Sequence, residues 1–389
     1  MGVKAIWRSK LAQQQKNTKI YNIQIADLSC DSKLILSDSD EKKVQRFFKD
    51  TQFYYPYQLY ISIDMNIVDL LTKKFRNLPE LRAAFKTNED CKRFLEEVIW
   101  EGEPVSPEDI TSKVYKCRDG WYKCKNTGKE FNILTKTFLQ NTKIPLPIWF
   151  EVIFRLCSDR SGLAATTVAR EYGITELTAE NMLHKIRNAM GFENHQQLEG
   201  EVEVDEYYVG GLHKNMHGDK RWEAKQKPNQ GKLLLQGFVE RGGNAVINVI
   251  PDRTESTVNA GVLRYVKPGA AVNTDDYQGY NKLPPIYKRG VVVHSDKIYV
   301  NKDNNNIHTN GIESLWANFH RMEVKHIHIS EKHLQNYANE VVFRYNTRKM
   351  PTPNACVWLL QNMQGTNITW EEIRNAKYKQ YNRNQTRAA

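Results

Sequence analysis

Two aspartates and a helix-borne acid, far apart in the chain, have the types and settings to share hard metal ions. The first is Asp205 in "GEVEVDEYYVGG", a strand by its alternation, with Val202 and Val204 on one face and Glu201, Glu203 and Asp205 on the other. The second is Asp275 in "PGAAVNTDDYQGY", where a further strand ends at Asp275-Asp276. The third place is "HTNGIESLWANFHRM", a helix whose buried stripe is Ile312, Leu315, Trp316 and Phe319, while Asn310, Glu313, Ala317 and His320 share another face. Mg²⁺ takes carboxylate and phosphate oxygens in octahedral geometry. Two such ions about 3.5–4 Å apart can activate a water or a 3′-hydroxyl and stabilise the leaving oxygen of a phosphodiester. Each piece alone has a plainer reading: Asp205 as a polar strand residue, Asp275-Asp276 as a turn, and Asn310 with Glu313 as a capping box. The chain order, an Asp on one strand, an Asp ending a later strand and an acid on a following helix, favours the metal reading.

The elements that must position these side chains are legible around them. "GKLLLQGFVERGGNAVINVIPD" reads as two strands joined by the hairpin signal Arg241-Gly242-Gly243-Asn244. "RTESTVNAGVLRYV" is an amphipathic helix with Thr254 or Ser256 near its start. Residues 198–348 therefore predict a mixed α/β sheet flanked by helices. Ahead of it, residues 141–192 hold an apolar helix with Trp149, Phe150, Ile153, Phe154 and Leu156. "AATTVAREYG" then ends at Gly173, and "ITELTAENMLHKIRNAM" follows with Thr175 as its N-cap. Helix, glycine turn and helix is the helix-turn-helix plan. Ala179, Met182, Leu183 and Ile186 should face inward. Thr175, Thr178, Asn181 and Lys185 should face outward as a polar and basic set suited to bases and phosphates. A plain three-helix packing unit is the alternative.

Residues 65–140 read as a helical lead-in, "MNIVDLLTKKFRNLPELRAAF", followed over 90–140 by a strand-and-turn module. "KVYKCRDGWYKCKNTGKEFNILT" alternates aromatic and basic residues around turns at Asp119-Gly120 and Thr127-Gly128, as a small β-ribbon would. Its two knuckle positions read "VSPED" and "CKNTG", so Cys117 and Cys124 cannot close a tetrahedral site and structural zinc is not expected. Residues 1–64 form an extension with no assigned role, and Met65 is an alternative start. Residues 349–389 read as a tail.

The chain has 56 Lys+Arg against 45 Asp+Glu, a net charge of +11 that favours a polyanionic partner such as double-stranded DNA. Six cysteines at 30, 91, 117, 124, 157 and 356 include no CxxC pair, which fits a reducing compartment. No apolar run approaches the ~18–20 residues of a membrane span, and the basic N-terminus lacks the apolar core of a signal peptide. A cytoplasmic protein, nucleoid-associated when on DNA, is expected.

From about residue 80 to 348 the sequence resembles insertion-sequence transposases of the ISXO-like group, related to the Merlin elements. The likeness rests on "VEVDEYYVGG", "VERGG", "VIPDRTESTV", "VKPGAAVNTDDYQGY", "HSDKIYV", "HTNGIESLW" and "KHLQNYANEVVFRYNTR", in that order. The resemblance implies a DDE-type catalytic domain of ribonuclease-H-like fold. Such a domain uses two Mg²⁺ or Mn²⁺ ions to nick DNA at terminal inverted repeats and join the freed 3′ ends to target DNA. It implies Asp205 and Asp275 as metal ligands, with Asp276 as the fallback for the second. The third ligand falls in the Asn310/Glu313 pair; Glu313 is taken as the direct ligand and Asn310 as its partner. A homodimer on DNA follows from the need to join two ends. The chain departs from the family in its replaced zinc ligands, in Glu180 and Asn181 where relatives carry an aromatic residue, and in His320 or Arg321 at a usually basic position. Two rivals remain: a transposase-derived DNA-binding regulator without catalysis, and another ribonuclease-H-like nuclease such as a junction resolvase. The intact acids argue against the first, and the helix-turn-helix and element motifs against the second.

Overall fold

The computed structural model describes residues 75–210, 232–292, 308–327 and 329–375, and Asn77 and Thr87 start the first two helices among them. Asn77 Oδ1 accepts from Glu80 N–H at the head of α1 (Leu78–Ala84). Thr87 and Asp90 form a reciprocal capping box on α2 (Asn88–Trp100). The strand-and-turn module expected over 90–140 therefore begins only after Trp100. The cap, with Cys91, Phe94, Leu95 and Val98 buried at helical spacing, makes the preceding stretch a helix. Phe75, Phe85, Phe94, Phe150 and Phe154 interlock edge to face, with ring centroids 4.9–6.2 Å apart.

Beyond α2 stands the ribbon: β1 (Val114–Arg118), β2 (Trp121–Cys124) and β3 (Glu130–Phe131), antiparallel in that order. Gly120 and Gly128 turn with φ of +65° and +68°, which side chains with a Cβ rarely adopt. The position of a first zinc knuckle is occupied by Ser106, whose Oγ accepts from the N–H groups of Glu108 and Asp109 (3.2 and 3.3 Å). Cys124 is fully buried; burial alone would raise its thiol, but the hydroxyls of Ser106, Ser112 and Thr127 bring it down to about 7. One thiol ringed by hydroxyls is not the four-donor N/S set of structural zinc. Trp100, Tyr122 and Phe131 pack the ribbon onto α2 instead.

Three helices lead onward: α3 (Leu146–Ser158), α4 (Ala165–Tyr172) and α5 (Glu176–Ala189). Gly173 ends α4 in the left-handed conformation (φ +63°), and Thr175 caps α5 by accepting from Thr178 N–H (3.2 Å). Ala179, Met182, Leu183 and Ile186 are buried.

The remaining elements form three layers. The central sheet is built from β4 (Glu201–Val209), β5 (Leu233–Glu240), β6 (Ala245–Ile250), β7 (Ala271–Asp275) and β8 (Lys288–Val292), in the order β6-β5-β4-β7-β8. The β4–β5 and β5–β6 pairs are antiparallel, whereas β4–β7 and β7–β8 are parallel. α6 (Glu255–Tyr265) crosses between β6 and β7 and buries Val258, Val262 and Tyr265 with Val202, Val204, Phe238 and Val272 on one face. The opposite face, with Leu235, Val239 and Ile247, is covered by α7 (Asn310–His326) and α8 (Leu334–Asn346). Period-2 alternation in the strands thus feeds two separate cores. The expected mixed sheet flanked by helices is observed.

Residues 349–389, read from sequence as a tail, are in part packed helix. α9 (Thr352–Gln361) buries Cys356, Val357, Leu359 and Leu360 and lies against α2 and α3, and α10 (Trp370–Arg374) buries Ile373. No described helix is long and apolar enough to cross a membrane.

Candidate active site

Asp205 lies mid-strand on the α7 face of β4, directly opposite Gly237 of β5. That glycine has a steric reason. A Cβ there would sit 2.6 Å from Trp316 Cζ2 and 2.8 Å from Ile312 Cδ1. Its absence lets α7 settle onto the sheet, and the Trp316 indole N–H donates to Asp205 Oδ2 (3.0 Å). Burial raises the Asp205 carboxyl above its ordinary value, and nearby Asp275 adds to this, while the indole and a backbone N–H oppose it. Gly237→Ala should push α7 off β4 and break the indole contact. Overpacking of this kind costs about 1–3 kcal/mol, to be read by denaturant unfolding together with loss of any Asp205-dependent activity.

Glu203, two residues earlier on the same polar face, is only 1% exposed. Its Oε2 accepts from Ile312 N–H (3.0 Å), capping α7 from another element. Its Oε1 stands 3.1 Å from His308 Nδ1 and 3.4 Å from Arg241 Nε. The local capping-box reading is thereby overturned. The N-cap of α7 is Thr309, no side chain of its own segment caps it, and Asn310 is the first helical residue. Asn310 is exposed and Glu313 half-buried, within the first turn of α7.

Asp275 closes β7. The last residues paired between β4 and β7 are Glu203 and Asn273, so the same parallel register carried two residues on sets Asp205 beside Asp275. Asp275 Oδ1 accepts from Tyr277 N–H (3.1 Å), and Oδ2 from Arg253 Nη2 (2.8 Å). Arg253 also pairs with Glu206 and lies over the Tyr277 ring at 3.9 Å. Glu206 points from β4 into the α6 core, where Tyr280 OH donates to it. Burial pushes Glu206 up to about 7 against the pull of Arg253 and Tyr280. Asp276 is exposed beyond the strand end.

Further along the β4–α7 seam, Tyr207 stacks on Trp316 (5.1 Å, 25°) and donates to Glu323 Oε2 (2.6 Å), with His320 Nδ1 3.3 Å from the same hydroxyl. Sequence reading missed Glu203, Glu206, Arg253 and Tyr207. The available signal was the density of acids on one short strand, since a covered strand face cannot leave them all in water.

The four residues expected to face DNA are differently placed. Thr175 is exposed, but its hydroxyl is tied to that of Thr178 (2.8 Å). Asn181 and Lys185 are half-buried, and the start of α5 also exposes Glu176, Leu177 and Glu180. Basic side chains are dense on the ribbon instead, where Lys113, Lys116, Arg118, Lys123, Lys125 and Lys129 are exposed.

A pair of carboxylates from neighbouring parallel strands, one of them (Asp205) with its proton affinity raised by burial and by the other, is a hard-oxygen donor set that a divalent cation suits. Together with a capped helix laid over the first strand, it defines a mixed α/β domain with an acidic edge. Over residues 197–346, from just before β4 to the end of α8, the chain matches the ISXO2-like transposase domain. It is also similar to a protein described as uncharacterized in the transposable element ISH50 of Halobacterium salinarum. The two are 25% identical over 251 residues, covering 62% of this chain and 83% of that one.

Proposed function

We propose that the protein is the transposase of an insertion sequence, cutting DNA at terminal repeats and transferring the 3′ ends to target DNA. The observation that carries this reading is the β4–β7 acid pair within the matched domain, with α7 locked onto β4 by Glu203 and Trp316. The strand order, with its second strand antiparallel, supports a ribonuclease-H-like fold. Asp205, Asp275 and Glu313 would hold two Mg²⁺ or Mn²⁺ ions, with Asn310 beside Glu313. When bound, such ions activate the attacking oxygen and stabilise the leaving one.

The chain's own residues do the rest. Trp316 fixes one oxygen of Asp205, and Glu203 holds the first turn of α7, and so Glu313 and Asn310, against β4. Arg253 orients Asp275 and neutralises it together with the buried Glu206. The α4–Gly173–α5 unit serves as the helix-turn-helix, contacting DNA through Thr175, Thr178, Asn181 and Lys185, while the basic ribbon neutralises phosphates. The chain would act as a homodimer so that two ends are joined.

Purified protein with Mg²⁺ and DNA bearing the repeats that flank its coding sequence should yield strand-transfer products. DNA binding should weaken steeply with salt, log K falling at about 0.9 per phosphate contact. Salt-dependent binding without cleavage under Mg²⁺ or Mn²⁺ would instead support a DNA-binding regulator.

A further inference from the structure

Away from the acidic edge, α5 meets the segment leading into α8 through a cluster the proposed reaction does not use. Glu180 and His184 lie one turn apart on α5, and His333 ends the 3₁₀ turn Glu331–His333 just before α8. One ligand atom from each lies within 4.8 Å of the others, and among the described residues no other trio of His, Cys, Asp or Glu is so gathered. His184 and His333 are 1% and 7% exposed, and their rings stack at 3.9 Å. The Nδ1 atoms of both rings are enclosed without a hydrogen-bond partner, an unusual state for buried imidazoles. His184 Nε2 stands 3.7 Å from Glu180 Oε1, long for a hydrogen bond but close to the edge of about 3.3 Å between two ligands of one tetrahedral ion.

We infer that Glu180, His184 and His333 form a binding site for a zinc-like divalent cation that clasps α5 to the segment preceding α8. Two imidazoles and a carboxylate are a donor set for a late first-row ion, with Zn²⁺ the ordinary occupant and a fourth position open to water on the exposed Glu180 side. Burial holds both rings in the neutral form that ligation requires, His184 down to about 2 and His333 down to about 4. The cations facing the cluster are Arg187 and Lys332. Arg187 is neutralised by Glu340, with Nε 2.6 Å from Oε2, which leaves Lys332 as the opposing charge and Glu180 as its offset. His326 and Tyr337 complete the surroundings as further rings.

The test uses the full chain carrying Asp205→Asn, so that the carboxylate site does not compete, stripped by chelator and titrated with Co²⁺ and then Zn²⁺. One Co²⁺ per chain should give the visible absorption of a low-coordinate, imidazole-bound ion, and Zn²⁺ should bleach it and raise the unfolding temperature. Exposed Glu180 can be replaced without disturbing the core. Glu180→Gln should weaken the affinity by about tenfold or more, and His333→Ala should abolish the spectrum. A spectrum of an oxygen-only octahedral ion, or an affinity unchanged by Glu180→Gln, overturns the site. Neither outcome bears on whether the acidic edge cuts DNA.

Discussion

Asp205→Asn is expected to abolish cleavage and strand transfer while leaving the protein folded and no less stable. If this carboxylate holds metal, its loss removes several kcal/mol of charge stabilisation from the reaction. At about 1.4 kcal/mol per factor of ten, the rate should fall by at least about 10³-fold. The fold has little reason to suffer. The amide oxygen of Asn can still accept from Trp316 Nε1, the cross-strand fit at Gly237 is unchanged, and a buried charge beside Asp275 disappears. The unfolding midpoint should therefore stay level or rise, as often happens when a functional charge is removed. Thermal melts and a strand-transfer assay on the same preparation separate the outcomes. Retained activity would remove Asp205 from the site, and lost activity with a lowered midpoint would make it structural.

What the sequence disclosed about this site, and what it hid, follows from the range of each interaction. The two aspartates were legible because alternation in β4 and the end of β7 are local patterns, whereas the adjacency of the two strands is not local, since β5, β6 and α6 lie between them in the chain. The buried stripe Ile312, Leu315, Trp316 and Phe319 was legible for the same reason. The start of α7 was not. Asn310 and Glu313 have the spacing of a capping box, yet the cap comes from Glu203, 109 residues from the Ile312 N–H it receives. Arg253 was hidden likewise, since its partners Glu206 and Asp275 lie 47 and 22 residues away in the chain. Helix α9 was missed because "TPNACVWLLQ" is apolar on most sides and gives no one-sided stripe. Gly237 looks like any strand glycine until α7 is laid across it.

Arg187→Met should be the most destabilising of the substitutions considered, although it lies outside the acidic edge. Arg187 on α5 is 1% exposed, and Glu340 on α8 is fully buried. The guanidinium donates through Nε to Glu340 Oε2 (2.6 Å) and through Nη2 to Leu163 O (3.2 Å), and it lies over the Tyr337 ring at 4.2 Å. Gly162, at φ +78°, leaves room for Glu340, because a Cβ there would fall 2.4 Å from Oε1. Methionine keeps most of the volume but strands the carboxylate, whose remaining cation is Arg344, 3.2 Å from Oε1. Removing one partner of a buried pair costs about 3–5 kcal/mol. For a unit of this size that is a fall of roughly 5–15 °C in the unfolding midpoint. Glu340 is held well charged by Arg187 and Arg344 against the cost of burial, its carboxyl lowered overall below the ordinary value. Its contribution to stability is therefore present above the ordinary carboxylate pKa and lost as pH falls through the lowered one. The variant's deficit should accordingly shrink in acid. Replacing both partners, Arg187→Met with Glu340→Leu, should recover part of the loss, because no buried charge is then left alone. A double variant as unstable as the single one would show that the packing of α5 on α8, and not the ion pair, holds these two helices together.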